Sequence, residues 1–186
     1  HFIFLAGQIA IKFLFLVEKI EAQLLQVSQA RKLPAEGQLE SAFCAEEAEF
    51  EEKRLALHRM VQRNLLETNS LRAFLPLLLK IVDTAVAAQL EAPQPLSDPL
   101  FAAALDCLAK FMLLSEEVCM LHVSRLEELV EREEFAVEVR SNAIIYIGDL
   151  FHKHPNRLGP QLQRLFQCLQ SPTALIRHNA LIVLSH

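Results

Sequence analysis

The chain has 186 residues, enough for one or two ordinary domains with a sizeable core. Hydrophobic residues make up 52% of it against 4 glycines and one tyrosine, which suits helices and fits poorly with strands and tight turns. A net charge of −5 speaks against a generally basic nucleic-acid protein, and four cysteines with no CxxC pair speak against a disulfide framework or a zinc site.

Residues 2–29 read as one long helix or two stacked ones. The apolar run from Phe2 to Val17 raises a signal peptide or a membrane span. Gln8 and Lys12 interrupt that run, however, and the pattern continues through Glu18, Lys19 and Glu21 to Leu24 and Leu25, as a long soluble helix would. Residues 31–41, holding Pro34 and Gly37, are expected to form a loop. A charged helix follows over 43–67, with glutamates at its start and Arg54, Arg59 and Arg63 later. That polarity matches a solvated helix and its own dipole, with an interaction surface as the alternative. Residues 92–95 are expected to form a turn.

Beyond residue 70 the helix punctuation is legible. Asp98-Pro99 sets a capping carboxylate before a proline in the first helical position. Ser115 precedes Glu116 and Glu117, His154-Pro155 closes one helix, and Ser171-Pro172 opens another. These signals predict helices over 76–89, 99–114, 116–131, 137–153, 158–169 and 172–186. His1 in first place, and a last helix running out at Ser185-His186, read as a chain cut at both ends.

The helices repeat. Leu126 and Leu129 precede Val139-Arg140-Ser141-Asn142-Ala143, and Leu165 and Leu169 precede Ile176-Arg177-His178-Asn179-Ala180. A weaker copy runs through Leu100, Phe101, Ala104 and Leu108, which sets the equivalent alanines 39 and 37 residues apart. Two helices per period of that length predict an all-α solenoid, an α-α superhelix of the HEAT/armadillo type, with an irregular helical bundle as the alternative. A small alanine lets helices approach closely, and no pair buries its apolar face without a neighbour. The expected organisation is a helical segment over 1–70 with a charged insert, then HEAT repeats over 71–186.

The stretch from Val139 to Asn156, VRSNAIIYIGDLFHKHPN, resembles the family of HEAT-repeat regulatory subunits of condensin, the condensin I type in particular, with the condensin II type as runner-up. Residues 73–80 and 109–115 are similar to the same family in the same order. The sequence departs from the family at Ser171, where an acid is usual, and at His178, where a second basic residue is usual. The resemblance implies a non-catalytic subunit acting in mitotic chromosome condensation, located in the nucleus and on chromosomes, and in the cytoplasm outside mitosis. Its implied partners are a kleisin, the SMC ATPase subunits, and DNA or chromatin with histones as one candidate, and no membrane.

No P-loop, glycine-rich strand-to-helix turn or GxSxG is present, no catalytic or metal-binding residue stands out, and no cofactor is expected. His152 and His154, two apart, point to different sides of a helix and make poor metal ligands. Charge is uneven: residues 115–138 hold eight glutamates, whereas Arg140, Lys153, Arg157, Arg164 and Arg177 follow with Asp149 as the sole acid. Lys153, Arg157 and Arg164 lack nearby acids in the sequence and are the candidate contacts to DNA phosphates, with a solvated face as the alternative. Arg140 and Arg177 are expected to build a structural ladder with turn acids, Glu134 pairing with Arg140. The function of another class is a HEAT adaptor in nuclear transport or vesicle traffic.

Overall fold

A computed structural model describes residues 1–30, 39–62, 70–91 and 98–185. Among these residues there are eight α-helices and a 3-10 turn, Ser70–Ala73, and no strand. The helices are α1 (Phe2–Ala30), α2 (Leu39–Gln62), α3 (Phe74–Glu91), α4 (Pro99–Leu114), α5 (Glu116–Glu131), α6 (Val137–Lys153), α7 (Gly159–Cys168) and α8 (Ala174–Ser185). The chain divides into two compact units, one of His1–Gln8 with Phe74–His186 and one of Ile9–Ala73.

In the first unit each helix packs on its neighbour in sequence, α3 on α4, α4 on α5, α5 on α6 and α7 on α8. The even-numbered helices also pack on one another, α4 on α6 and α6 on α8. Local chemistry fixes the corners. The Asp98 carboxylate accepts the Leu100 N–H at 2.8 Å, with Pro99 in the first turn of α4, where its missing N–H is harmless. Ser115 serves two helices. Its N–H donates to Phe111 O and closes α4, while its hydroxyl accepts the Val118 N–H at 3.3 Å and caps α5. Ser115 is extended (φ −135°) and buried, so the chain turns from one helix to the next at a single residue.

Helix α4 lies deepest. Phe101, Ala104, Leu105, Cys107, Leu108, Ala109, Phe111 and Met112 are all buried, which leaves it little polar face. Helix α5 buries Val118, Cys119, Val123, Leu126, Leu129 and Val130 at helical spacing, and α6 buries Ala143, Ile144, Ile147 and Leu150 beside two polar groups, Arg140 and Ser141. Ala104, Ala143 and Ala180 are each fully buried, one each on α4, α6 and α8. Close approach is sharpest at Gly148, where an added Cβ would stand 2.6 Å from a Val183 methyl. At the start of α1, Gly7 likewise faces Cys107 of α4, with 3.4 Å from a Cβ there to the Cys107 Cα.

In the second unit, α2 is largely exposed from Glu51 to Ala56 and carries helix-turn ion pairs, Lys53 with Glu49 and Arg54 with Glu51. Pairs of this kind contribute about 0.3–0.5 kcal/mol each. None of the described helices is long and apolar enough to cross a membrane.

Three helices match the expected limits, α4, α5 and α6, the others shift by one to four residues at an end, and residues 63–67 of the expected charged helix lie outside the described residues. Helix α3 starts at Phe74, two residues before Pro76, because proline is tolerated anywhere in a first turn whose N–H groups have no helical partner. Helix α8 starts at Ala174, two residues after Pro172. Helix α2 begins at Leu39, inside the expected loop, while Pro34, Gly37 and the turn at 92–95 lie outside the described residues.

Candidate interaction face

Two basic residues of the carboxy-terminal third, Arg157 and Arg164, meet acidic residues upstream. Arg157, in the turn after α6, donates from Nε to Glu116 Oε1 at 2.6 Å. Arg164 of α7 lies 3.3 Å from Glu127 Oε1 and also pairs with Glu131. Lys153, half-buried at the end of α6, is engaged as well. The expectation that these residues lack nearby acids is therefore corrected for Arg157 and Arg164: their acids are distant in sequence but adjacent in space. Arg157 is exposed and the pairs are partly solvated, so each contributes about 0–1 kcal/mol and can be exchanged for another anion.

The arginine ladder also differs in its partners. Arg140 is nine-tenths buried and donates from Nε to the Val130 carbonyl at 3.2 Å, not to a carboxylate. Glu134 is exposed and contributes its carbonyl, which accepts from Gln89 Nε2 at 3.2 Å. Arg177 donates from Nη1 to the carbonyls of Ser171 and Pro172, both at 2.8 Å. In both helices the arginine in the fourth helical position reaches back to main-chain carbonyls that precede the helix. Those carbonyls need a donor, and a guanidinium supplies one without an acid.

A cavity of about 250 Å³ opens between α5, α6, α7 and the α7–α8 turn. Its lining includes Glu131, Arg140, Gln161, Arg164, Cys168 and Ser171. Gln161 Oε1 is buried there without a hydrogen-bond partner.

The sequence reading missed a polar cluster between α3 and α5. Arg125 grips the Asp83 carboxylate through Nε at 2.8 Å and Nη2 at 3.0 Å, and its Nη1 donates to His122 Nδ1 at 3.0 Å. Hydrogen bonds from Arg125 hold the Asp83 carboxyl below its usual value, and burial, with Arg125 next, holds His122 down. The imidazole is thus neutral, with Nδ1 as acceptor. The signal was available, since Arg125 and Asp83 stand 42 residues apart, close to one repeat.

Among the described residues nothing in the geometry assembles a nucleophile with a base. Burial pushes the Cys107 thiol up to about 12 and the Cys119 thiol up to about 11, which makes both inert core residues. Tyr146 is pushed up to about 12 by burial, with Asp106 beside it. His154 Nε2 donates to the Met112 carbonyl at 3.2 Å, tying the end of α6 to α4. Among the described residues no group of three His, Cys, Asp or Glu side chains is placed to hold a metal.

No family model matches the chain. Curated relatives do. Condensin complex subunit 1 of Xenopus laevis is 36% identical over 117 residues, 62% of this chain and 8% of that protein. The Mus musculus protein of the same name is 32% identical over 132 residues, 70% of this chain and 9% of that one. Condensin-1 complex subunit CAP-D2 of Arabidopsis thaliana is 34% identical over 87 residues, 47% of this chain and 6% of that one. The chain therefore spans less than a tenth of the length of these relatives. By sequence the chain is similar to one short stretch of the condensin complex subunit 1 proteins.

Proposed function

We propose that this chain is a stretch of a non-catalytic condensin subunit acting in mitotic chromosome condensation, in the nucleus and on chromosomes. In this reading α3 to α8 are HEAT-type pairs of a solenoid over residues 71–186, and residues 1–70 are a helical segment with a charged insert. The surface of the pairs serves a kleisin, the SMC ATPase subunits and DNA. One observation carries the reading: relatives named as condensin subunits match a chain whose fully buried alanines recur once per helix pair. Regular stacking of such pairs presents long side surfaces suited to binding extended partners, without a catalytic cleft.

Lys153, Arg157 and Arg164 are the proposed phosphate contacts. DNA would replace Glu116, Glu127 and Glu131 as the counter-charge of the two arginines, an exchange of one solvated anion for another. Such contact is blind to sequence and sensitive to salt. Alanine at all three positions, in the subunit assembled with its kleisin, is expected to flatten the log–log salt slope of DNA binding by about 2–3. For the protein partners, the tagged chain is incubated with mitotic extract and the bound proteins are identified by mass spectrometry. Recovery of a kleisin with SMC subunits supports the reading, and recovery of transport or coat components in their place overturns it.

A further inference from the structure

The cavity between α5, α6, α7 and the α7–α8 turn holds polar groups that the fold leaves without a partner. Three carboxylates line it, Glu127, Glu131 and Glu133, against two guanidinium groups, Arg140 and Arg164. Arg164 lies 3.3 Å from Glu127 and also pairs with Glu131, so two acids share one cation. Glu133, exposed in the turn after α5, meets no basic group among the described residues. Gln161 Oε1 is buried without a donor, and an acceptor in that state is costly. Arg140 is nine-tenths buried and donates from Nε to the Val130 carbonyl at 3.2 Å. Val130 stands in the last turn of α5, where the helix dipole is negative, so the helix end meets the charge of Arg140. The groups left over are therefore acceptors, and the charge left over is negative.

The rest of the wall is largely apolar. Val130, Ile147, Leu165 and Ile176 contribute to it, and all four are buried. The volume of about 250 Å³ lies below the range of about 300–1,000 Å³ usual for small-molecule sites and suits a single long side chain. Lysine and arginine combine the two properties required. Their methylene stems lie along apolar surface, while their charged heads carry donors and no acceptor. A glutamate in the same space meets three carboxylates, and an apolar side chain brings no donor to Gln161 Oε1.

We propose that this cavity is a receptor for the lysine or arginine side chain of an extended partner peptide, with Glu133 and Gln161 as the residues that bind its charged head. The stem lies against Ile147 and Leu165, and the head supplies the donor that Gln161 Oε1 lacks. The site does not depend on the DNA contacts proposed above.

The test uses the full chain, isotope-labelled, and end-blocked peptides Gly-Ser-Xaa-Ser-Gly in which Xaa is arginine, lysine, citrulline or glutamate. NMR follows the side-chain amide of Gln161, assigned with Gln161→Met, and the backbone N–H of Ser171 during titration. The arginine and lysine peptides should shift both signals, with dissociation constants on the order of 1 mM. Citrulline keeps the shape of arginine without its charge and should bind at least about threefold more weakly. Glu133→Gln should weaken the arginine peptide by about threefold to tenfold. Glu138→Gln, which alters an exposed acid of α6 outside the lining, should change it by less than about twofold. Gln161→Met should also weaken binding, yet unfold at a Tm no lower than wild type, because it removes a buried acceptor that has no partner. Three results each overturn the site: no shift of Gln161, equal affinity for the arginine, citrulline and glutamate peptides, or equal losses in Glu133→Gln and Glu138→Gln. A lower Tm in Gln161→Met with affinity unchanged overturns the role of Gln161.

Discussion

Replacing Gly148 with alanine is expected to destabilise the protein, although the same change in an open helix stabilises it by about 1 kcal/mol. The added Cβ would stand 2.6 and 2.7 Å from the two Val183 methyls and 3.1 Å from its Cβ. Carbon atoms in contact sit at about 3.5–4.0 Å, so the intrusion is on the order of 1 Å. Valine cannot swing away, because a β-branched side chain in a helix has one strongly preferred rotamer, and relief requires α8 to shift on α6. Overpacking of this kind costs about 1–3 kcal/mol. With both methyls struck, the upper part of that range applies, and the helix-propensity gain leaves a net loss of about 1–2 kcal/mol. At this chain length that is a fall of about 3–6 °C in Tm. The assay is urea and thermal unfolding of Gly148→Ala, Val183→Ala and the double variant. Val183→Ala alone loses half-buried methyls, about 1 kcal/mol. The double variant should be more stable than Val183→Ala alone, because alanine at 148 then brings its propensity without the clash. Simple additivity in that cycle, or a Gly148→Ala protein more stable than wild type, would falsify the close-contact argument.

Ser115→Ala removes the cap of α5 and leaves the Val118 N–H without its partner, and urea unfolding should show a loss of about 0.5–2 kcal/mol. Asp83→Asn should change the pH dependence of stability. Arg125 holds the Asp83 carboxyl below 3.8, so its contribution is complete above that pH and is lost as pH falls through the lowered value. The gap between wild type and variant should thus close below about pH 4, and a gap constant from pH 7 to pH 2 refutes the coupling. Cys107 and Cys119 should resist a disulfide-exchange reagent at pH 8 in the folded protein and react on unfolding, since burial holds both thiols protonated. Rapid reaction of either one in the native state would contradict their placement in the core.

The sequence by itself determined what hydrogen bonds within a turn of helix can determine. Asp98-Pro99 and Ser115 mark their corners because a cap acts on N–H groups two or three residues away, and the structure returns α4 and α5 with the expected limits. The recurring alanines were legible for a related reason: a fixed period places equivalent residues at equivalent depth, and Ala104, Ala143 and Ala180 are all fully buried. Proline gave a looser signal, since it is tolerated throughout a first turn, and so α3 and α8 begin two residues from where Pro76 and Pro172 were read. Tertiary structure alone decided the polar partners. Arg125 meets Asp83 across 42 residues, Arg157 meets Glu116 across 41, and Asn179 donates to Ser141 across 38. Each separation is close to one repeat, so each side chain answers a residue of the neighbouring helix pair. Net charge along the chain records how many acids and bases a segment holds. Which of them neutralise one another depends on distances through space of a few ångströms, and only the packing of one pair on the next sets those.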